Sequence, residues 1–468
     1  MNLKKLHNVH FLGIGGIGMS ALARWFNHIG VKVSGYDRTP SPLTASLESE
    51  GMKITYEDTM ATIPTDVKAD KDNTLIVWTP AMPKDSVQLN YFRDQGFDLM
   101  KRAAVLGMIT SDMPTIAVAG THGKTTTSSM IAHLLKSGGK NIAAFLGGIT
   151  QNYQSNLILH DEDNKEVTVV VEADEFDRSF LHLHPNVAVV TSADPDHLDI
   201  YGDDKHMMEG FRAFVELISE HGKLYIHTKA YKKLGLDSMT RNLTILQYGI
   251  GEGEINAVNI EALPATFRFD YQNGSQQIKG LELRMPGFHN VENALPAISI
   301  ALDLGMDEEA IRKGLLTYRG VKRRFEIWVQ EEDRVFIDDY AHHPEEIRAF
   351  LTSVKAMYPQ KKLTAVFQPH LFTRTRDFAK GFSESLSLAD EIVLLDIYPA
   401  RELPIEGVTA SMLLEDITAP QKSLQTKEGL LDYLKASNIE VLVTIGAGDI
   451  DRLVSPIANW LRHEESKV

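Results

Sequence analysis

The sequence predicts an α/β protein of three domains, and three observations lead to this class. Short apolar runs alternate with longer helix-compatible stretches, which is typical of α/β units. Most of these runs are nearly continuous valine, isoleucine and leucine, as expected for strands that are covered on both faces of a parallel sheet. The length of 468 residues corresponds to about three domains of ordinary size.

The strands are predicted from the apolar runs. They include Val9–Leu12, Val31–Tyr36, Leu75–Trp78, Ile116–Ala119, Val167–Val171, Val187–Thr191, Val335–Ile337, Leu363–Phe367, Ile392–Leu395 and Val441–Ile445. Residues 241–284 are alternating and rich in turn residues, which predicts an antiparallel excursion. Changes of pattern along the chain divide it into residues 1–110, 111–321 and 322–468.

Composition excludes several classes of function. The chain has 48 Lys and Arg against 63 Asp and Glu, a formal net charge of −15, so binding to a nucleic-acid polymer is not expected. Anionic small ligands remain possible, because backbone N–H groups bind them locally. There are no cysteines, which excludes disulfides and thiolate chemistry. No secretory signal and no window of about 20 apolar residues is present, so we expect a cytoplasmic protein without membrane contact.

The first glycine cluster follows the first predicted strand. Gly13, Gly15 and Gly18 fit the G-x-G-x-x-G pattern and precede a predicted helix over Met19–His28. Such a loop lets a diphosphate approach backbone N–H groups at a helix N-terminus. The next strand ends at Asp37, an acid roughly 20 residues after the loop that can bind a ribose or base. A plain strand–helix turn is the alternative, and the context of strand, helix and acid favours a ligand.

A second loop, from Gly120 to Thr127, follows the strand that ends at Ala119 and precedes a predicted helix over Ser128–Leu135. Its backbone N–H groups can cradle phosphates, Lys124 can neutralise the β- and γ-phosphates, and Thr125 can offer a hydroxyl to Mg²⁺. The loop departs from the strict phosphate-loop pattern, since Val118 stands where the first glycine is usual.

Acidic residues follow two further strands. Glu172, Asp174 and Glu175 come after one, and a run from Asp194 to Asp199 that includes His197 comes after the other. Carboxyl ends of neighbouring strands face the ligand crevice of α/β folds, and oxygen ligands suit Mg²⁺. The pattern predicts a metal and γ-phosphate site, with solvated loop charge as the alternative for any single acid.

Asn290 and Asn293 are spaced so that both amides lie on one helix face. An amide can pair with the edge of adenine. The alternative, that Asn290 merely caps a helix, stays open.

Charged residues and histidines mark the third block. Arg324, Arg374 and Arg376 can hold carboxylate or phosphate oxygens, while Asp339 and His342 lie just past a strand and can position an amine or a ribose. A zinc site is disfavoured, because His342 and its neighbour His343 are adjacent and point apart.

The two loops together narrow the function. A hydride-transfer enzyme explains only the first loop, and an ordinary ATPase explains only the second. The pair therefore suggests ATP together with a nucleotide-diphosphate conjugate.

The ordered motifs resemble the Mur ligase family, the ATP-dependent amide-bond-forming enzymes of peptidoglycan precursor synthesis, and within it the alanine-adding branch. The resemblance covers nearly the whole chain. Its motifs are Gly13–Ser20, Gly120–Thr126, Glu172–Glu175, Asp196-His197, His289–Asn293, Arg323–Phe325, Asp339–Pro344 and Thr373–Arg376.

The resemblance implies a Rossmann-like UDP-binding domain (1–110), a central P-loop-type ATPase domain with a mostly parallel sheet (111–321), and a C-terminal Rossmann-like α/β domain for the amino acid (322–468). It also implies ATP and Mg²⁺ as cofactors, with UDP-N-acetylmuramate and L-alanine as substrates of a monomer or weak homodimer. The implied UDP-substrate residues are Gly15, Gly16, Ile17, Gly18, Asp37 and Thr79. The implied ATP residues are Gly120, Thr121, His122, Gly123, Lys124, Thr125, Thr126, His289, Asn290, Asn293, Arg324 and Asp339. The implied metal ligands are Thr125, Glu172 and His197. The residues implied to hold the amino acid or the substrate carboxylate are His342, Arg374 and Arg376. The implied catalytic residues are Lys124, Glu172, His197, His342 and Asp339.

Two departures and three alternatives accompany this interpretation. Leu371 stands where relatives usually have Arg, and no lysine in 211–221 fits the carbamylated lysine of several Mur ligases. The alternatives are a recycling ligase that attaches a preformed peptide, a nicotinamide-dependent dehydrogenase, and an ATP-regulated binding module without chemistry.

Overall fold

A computed structural model describes residues 3–160, 166–194, 204–239, 241–274, 276–400 and 402–463. It confirms the predicted α/β class, because the strands in these ranges form mostly parallel sheets and alternate with helices. No helix within the same ranges is both long and apolar enough to cross a membrane.

The chain divides into two compact units. Unit 1 comprises residues 1–255 and 296–311, and unit 2 comprises residues 256–295 and 312–468. The domain boundaries drawn from the sequence, after residues 110 and 321, remain predictions.

The first sheet of unit 1 is wholly parallel and has the strand order β3-β2-β1-β4-β5. Its strands are β1 (Asn8–Leu12), β2 (Lys32–Tyr36), β3 (Lys53–Thr55), β4 (Thr74–Trp78) and β5 (Asp98–Lys101). The helices of this region are α1 (Ile17–His28), α2 (Pro42–Ser49), α3 (Thr65–Ala69), α4 (Val87–Asp94) and α5 (Arg102–Ser111). The carboxyl ends of β1, β2, β4 and β5 consequently meet at one edge of the sheet.

Further strands of unit 1 follow one another in the order β12-β11-β10-β6-β9-β7-β8, and only the pair β7–β8 is antiparallel. They are β6 (Thr115–Ala119), β7 (Ile142–Phe145), β8 (Leu157–Leu159), β9 (Thr168–Glu172), β10 (Val187–Val190), β11 (Lys223–His227) and β12 (Thr244–Ile250). The accompanying helices are α6 (Lys124–Ser137), α7 (Asp204–Glu216) and α8 (Thr228–Leu234).

One hydrophobic core joins the two sheets of unit 1. Phe11 of the first sheet and Phe26 of its helix α1 belong to the same buried cluster as Phe145 and Val171 of the second sheet. The Trp25 ring of α1 lies 6.4 Å from the ring of Phe145. The helix that follows the first glycine loop is thereby packed against the sheet that carries the second.

Unit 2 begins within β13 (Ile255–Leu263) and contains β14 (Thr266–Asn273) and β15 (Gln276–Leu283). β14 and β15 pair antiparallel, which confirms that part of the predicted excursion. The prediction was wrong for residues 244–250, because β12 pairs parallel to β11 and extends the sheet of unit 1. Helix α9 (Phe288–Asp303) starts in unit 2 and ends in unit 1, where α10 (Glu308–Thr317) also begins.

The last sheet, in unit 2, has the order β16-β17-β21-β18-β19-β20, and only β16 runs antiparallel to its neighbour. Its strands are β16 (Glu326–Gln330), β17 (Val335–Asp339), β18 (Leu363–Phe367), β19 (Glu391–Leu394), β20 (Gln421–Leu424) and β21 (Val441–Ile445). The helices are α11 (Pro344–Met357), α12 (Phe372–Asp377), α13 (Ala379–Leu386), α14 (Ala410–Asp416), α15 (Lys427–Lys435) and α16 (Asp451–His463).

The predicted strands are confirmed to within a residue or two at each end. The two helices beside the glycine loops start earlier than predicted: α1 at Ile17 rather than Met19, and α6 at Lys124 rather than Ser128. Lys124 and Thr125 therefore lie in the first turn of a helix, where backbone N–H groups are free of intrahelical partners.

Candidate functional site

The first glycine loop connects β1 to α1. Gly13 has a φ of +89°, which favours glycine, and the N–H groups of Gly13 and Ile14 donate to the carbonyl of Tyr36 at 2.8 and 3.1 Å. A Cβ on Gly13 would lie 3.0 Å from Cγ2 of Thr79, which places Thr79 at the loop as expected. Gly16 and Ile17 are exposed at the start of α1, so a ligand can reach this helix N-terminus.

Asp37 closes the first loop from the end of β2. Its carboxylate accepts hydrogen bonds from the N–H of Gly15 at 2.8 Å and of Thr39 at 3.1 Å. A Cβ on Gly15 would lie 2.8 Å from the same carboxylate. The acid is thus brought to the loop as predicted, and one of its tasks is to hold the loop's shape.

Arg102, which the motifs did not identify, follows β5 at the same sheet edge. A Cβ on Gly18 would lie 3.1 Å from Cδ and Cζ of Arg102. The Arg102 guanidinium also approaches the carboxylate of Asp174 at 3.4 Å. The sequence signal that points to Arg102 is a cation directly after a strand, at the edge of the sheet where ligands bind.

The second loop connects β6 to α6 through two glycines with positive φ. Gly120 has a φ of +137°, and Gly123, the residue that precedes α6, has a φ of +81°. A Cβ on Gly120 would collide with the hydroxyl of Thr191 and lie 2.8 Å from the N–H of Ser192. Glycine is required here by both conformation and space.

Lys124 is held inside the protein by Glu175. Its Nζ donates to Oε1 of Glu175 at 2.9 Å and to the carbonyl of Gly120 at 2.7 Å. The side chains are 14% and 1% exposed. Burial by itself lowers the pKa of Lys124, but the charges of Glu175, Asp174 and Glu172 outweigh it and raise the pKa above its usual value. The loop thus holds a cation whose charge is favoured by the surrounding carboxylates.

The loop is tied to the segment after β10. The N–H of His122 donates to Oγ of Ser192 at 2.8 Å, and the Thr121 hydroxyl donates to the carbonyl of Asp194 at 3.1 Å. Thr126 is buried in α6. These contacts fix the shape of the loop from a neighbouring strand end.

Glu172 ends β9, and its backbone pairs with Val118 of β6. Its Oε2 accepts a hydrogen bond from the N–H of Gly147 at 2.9 Å. His197, together with Asp196 and Asp199, lies outside the described residues. Within the described ranges no group of three or more histidine or acidic side chains could hold a metal alone. The oxygens of Glu172 and Thr125 still fit Mg²⁺, which uses one or two carboxylates together with substrate phosphates.

Asn290 and Asn293 lie together in unit 2. Both are buried, Asn293 Nδ2 donates to Oδ1 of Asn290 at 3.2 Å, and Asn290 Nδ2 donates to the carbonyl of Pro286 at 2.7 Å. The capping alternative for Asn290 was wrong, because α9 starts at Phe288 and Asn290 lies inside it. Burial lowers the pKa of the neighbouring His289 to about 4, so this imidazole is neutral.

Asp339 shapes the turn that carries Arg324. Arg323 and Phe325 both have positive φ, +60° and +47°. Asp339 accepts hydrogen bonds at 2.7 Å from the N–H of Phe325 and from the N–H of Ala341. Burial raises the pKa of Asp339 to about 6. The carboxylate is therefore occupied by backbone donors, and it positions Arg324.

The guanidinium of Arg324 lies 5.1 Å from the ring centre of Tyr340 and 3.8 Å from the carboxylate of Glu346. Glu346, another residue that the motifs did not single out, accepts from the N–H of His342 at 2.9 Å and of His343 at 3.2 Å. Glu346 belongs to a capping box at the start of α11. The capping-box pattern is the sequence signal that points to this residue.

His342 has its Nδ1 engaged by the protein. Nδ1 donates to the carbonyl of Tyr340 at 3.1 Å and lies 3.4 Å from Glu346. Burial, outweighing Glu346 and assisted by the charges of Arg374 and Arg324, lowers the pKa of His342 to about 4. The imidazole is neutral near pH 7 and carries its lone pair on Nε2. The adjacent His343 caps α11 instead, so the two rings do not form a shared site.

The two arginines of α12 differ in their surroundings. Arg374 is half-buried and its charge acts on His342, whereas Arg376 is exposed and paired with Asp377 at 2.7 Å. The structure therefore brings Arg374, but not Arg376, to the other predicted residues of unit 2. Leu371, which precedes α12, has a φ of +70° that is uncommon for a leucine.

Family models match three consecutive parts of the chain. They are the Mur ligase family catalytic domain over residues 8–113, the Mur ligase middle domain over 118–301, and the Mur ligase glutamate ligase domain over 323–448.

Individual relatives agree with the family models. The UDP-N-acetylmuramate–L-alanine ligase of Flavobacterium johnsoniae is 48% identical over 462 residues, covering 98% of this chain and 99% of the relative. The crystal structure of UDP-N-acetylmuramate-alanine ligase from Thermotoga maritima aligns with a TM-score of 0.80 at 28% identity, over 98% of this chain and 100% of that one. A murein peptide ligase from Psychrobacter arcticus shares the fold, with a TM-score of 0.67 at 23% identity over 98% and 99% of the two chains. The resemblance drawn from the motifs is confirmed: this chain belongs to the Mur ligase family.

Proposed function

We propose that the protein joins L-alanine to the carboxylate of UDP-N-acetylmuramate, converting ATP to ADP and phosphate through an acyl-phosphate intermediate. The observation that carries this proposal is the presence in unit 1 of two strand–glycine loop–helix elements, one of which has a buried cation, Lys124, within its motif. One site suits an intact diphosphate and the other suits a reacting phosphate. The relatives from Flavobacterium johnsoniae and Thermotoga maritima, which match over nearly the full length, carry this activity in their names.

The UDP substrate is assigned to the first loop. Ile17 and Gly18, at the start of α1, would offer backbone N–H groups to the diphosphate. Gly15 and Gly16, whose N–H groups donate to Asp37 and to the carbonyl of Gly13, would let the diphosphate approach the backbone. Thr79 lies against this loop, which supports its inclusion in the same subsite.

ATP is assigned to the loop from Gly120 to Thr126. Phosphoryl transfer depends mainly on positioning and on neutralising charge, and Lys124 with the loop N–H groups supplies both. By the resemblance to the family, the nucleotide is also assigned to His289, Asn290, Asn293, Arg324 and Asp339. Asp339 in addition holds the turn that carries Arg324.

Mg²⁺ is assigned to Thr125, Glu172 and His197. The support from the described residues is the oxygen chemistry of Thr125 and Glu172 at the loop and the neighbouring strand end. When bound, the ion would neutralise phosphate charge and orient the substrate carboxylate.

The reaction then has two displacements. An oxygen of the muramic carboxylate attacks the γ-phosphorus, and ADP leaves. The nitrogen of L-alanine attacks the acyl carbon, the C–N bond forms, and phosphate leaves with the electrons of the C–O bond. Residues of the chain hold the reacting groups in line, which is the main contribution a protein makes to such transfers.

The alanine ammonium must lose a proton before attack. The two candidates for its acceptor are Nε2 of His342, whose Nδ1 already donates to the carbonyl of Tyr340, and the carboxylate of Asp339, whose oxygens each accept from a backbone N–H group. Arg374 would hold the amino-acid carboxylate.

The decisive experiment is ADP release from ATP with UDP-N-acetylmuramate and a panel of acceptors. We expect release that requires the UDP substrate and is highest with L-alanine, then lower with glycine or L-serine. Preference for a preformed tripeptide would instead indicate the recycling branch. ADP release that occurs without any acceptor would contradict the proposal. The absence of ADP release with every acceptor in the panel would also contradict it. The oligomeric state, proposed as monomer or weak homodimer, is measured by light scattering on the same samples.

A further inference from the structure

The loop between β7 and β8, residues 146–156, is here called the bridging loop. Its two ends are joined by a hydrogen bond from the N–H of Leu146 to the carbonyl of Asn156 at 3.0 Å. A second bond, from the N–H of Thr150 to the carbonyl of Ser155 at 2.9 Å, closes it further. The loop is thus a compact element with defined ends.

One end of the bridging loop touches Glu172. The N–H of Gly147 donates to Oε2 of Glu172 at 2.9 Å. A Cβ on Gly147 would lie 2.5 Å from both carboxylate oxygens. Only glycine therefore allows the backbone to approach Glu172 this closely, and the approach fixes where that carboxylate lies.

The other end touches the helix of the first glycine loop. Asn156 is fully buried, and its Nδ2 donates to the carbonyl of Ile17 at 2.5 Å and to Oγ of Ser20 at 2.9 Å. Its Oδ1 accepts from Arg24 Nη1 at 2.5 Å, while Arg24 Nη2 pairs with Glu50 at 2.7 Å. The amide of Asn156 is completely engaged, and it anchors the first turn of α1.

The middle of the loop reaches the helix of the second glycine loop. The hydroxyl of Tyr153 lies 3.0 Å from Nδ1 of His133 in α6. One short loop therefore contacts α1, α6 and Glu172, which are the three elements that would hold the diphosphate, the ATP phosphates and the metal.

We propose that the bridging loop is a positioning element that sets the register between the UDP-substrate loop and Glu172. This inference rests on the proposed function, in which the muramic carboxylate must reach the γ-phosphate of ATP. A displacement of about 1 Å between reacting groups can cost about 100-fold in rate. Asn156 and Gly147 are thus positioning residues, which act through α1 and Glu172.

The test compares ADP release by the full-length wild type with that of three variants of the loop. Gly147→Ala is expected to lower kcat about 100-fold while leaving the KM for UDP-N-acetylmuramate unchanged. Asn156→Ala is expected to raise that KM about tenfold, because two polar groups of α1 lose their donor, with the KM for ATP unchanged. Gln154→Gly is the matched control, since Gln154 is exposed at the tip with a φ of +50° and its Nε2 donates within the tip to the carbonyl of Gln151 at 3.0 Å.

The double variant Gly147→Ala/Asn156→Ala provides the readout that a merely structural role would not produce. If the two ends act through one loop, the fold-loss of kcat/KM in the double variant is smaller than the product of the fold-losses in the two single variants. Three results would each overturn the inference: wild-type kinetics in both single variants, equal effects on the KM values of both substrates, or a loss of kcat/KM in the double variant that equals the product of the single losses.

Circular dichroism checks folding. Asn156→Asp, which keeps the acceptor for Arg24, replaces Asn156→Ala if the latter does not fold. Wild-type ADP release is scored first, so its absence refutes the proposed function and not the role of the loop.

Discussion

Both glycine loops of unit 1 follow the carboxyl end of a parallel strand and open a helix, but they enter that helix differently. The first loop reaches α1 from Gly16 in an extended conformation, with a φ of −66° and ψ of 141°. The second reaches α6 from Gly123 in the left-handed region. The first glycine that needs a positive φ is Gly13 in one loop and Gly120 in the other.

The larger difference lies in the charges around the loops. The first loop is held by the carboxylate of Asp37 and contains no cation within its motif. The second carries Lys124, which is buried and paired with Glu175. The cation beside the first loop, Arg102, comes from outside the motif and is partly exposed, which suits a group that is only bound. A buried cation within the loop suits a phosphate whose charge changes during reaction. Under the proposed function, two similar backbones would therefore serve two tasks because their side chains differ.

Removal of the cation tests this difference most strongly. Lys124→Ala is expected to lower ADP release about 1000-fold, because the charge on the transferring phosphate loses its fixed partner. Binding of UDP-N-acetylmuramate, measured by calorimetry, should be retained. Lys140→Ala, beyond the end of α6, is the control and should behave as the wild type. Near-normal turnover by Lys124→Ala would contradict the assignment of the second loop.

Removal of the carboxylate tests how the cation is kept charged. Glu175→Gln eliminates the largest charge that raises the pKa of Lys124, so the pKa falls below its wild-type value. We expect the decline of kcat at high pH to begin at a lower pH in this variant than in the wild type. The pKa of Lys124 is higher in the folded protein than in the unfolded protein, where it is about 10.4. The ion pair therefore stabilises the wild type at pH values below this unfolded-state pKa. The stabilisation is lost as the pH rises through the folded-state pKa. Breaking the pair should therefore cost about 3 kcal/mol near neutral pH in urea unfolding.

Glu209→Gln, at an exposed position of α7, is the matched control. A pH profile of Glu175→Gln that parallels the wild type would show that Lys124 does not depend on this partner.

Filling the first loop should have the smallest effect, confined to one substrate. In Gly15→Ala the new Cβ would lie 2.8 Å from the Asp37 carboxylate, so the loop must shift. We expect the KM for UDP-N-acetylmuramate to rise about tenfold, with little change in kcat or in the KM for ATP. Gly30→Ala, at a glycine with positive φ but open space, controls for backbone strain alone. A fall in kcat without a rise in that KM would contradict the distinction between the loops.

The sequence by itself determined the α/β class, the strands and the position of both glycine loops. These features depend on hydrophobic periodicity and on turn residues, which act over a few neighbouring positions. The wrong prediction for residues 244–250 has the same origin, because a short strand of mixed apolar and polar residues looks alike in parallel and antiparallel pairing.

Only the tertiary structure decided which partners surround the functional residues. Glu175 lies 51 positions from Lys124, and Asn156 lies 139 positions from Ile17. No local pattern encodes such pairs, since they arise from strand order and from the packing of α1 on the neighbouring sheet. The same holds for Asp339, which the family resemblance assigned to the nucleotide, and whose burial and hydrogen bonds to the N–H groups of Phe325 and Ala341 also make it a support for the turn. Chemistry-bearing residues are local in sequence, whereas their protonation and orientation are properties of the folded surroundings.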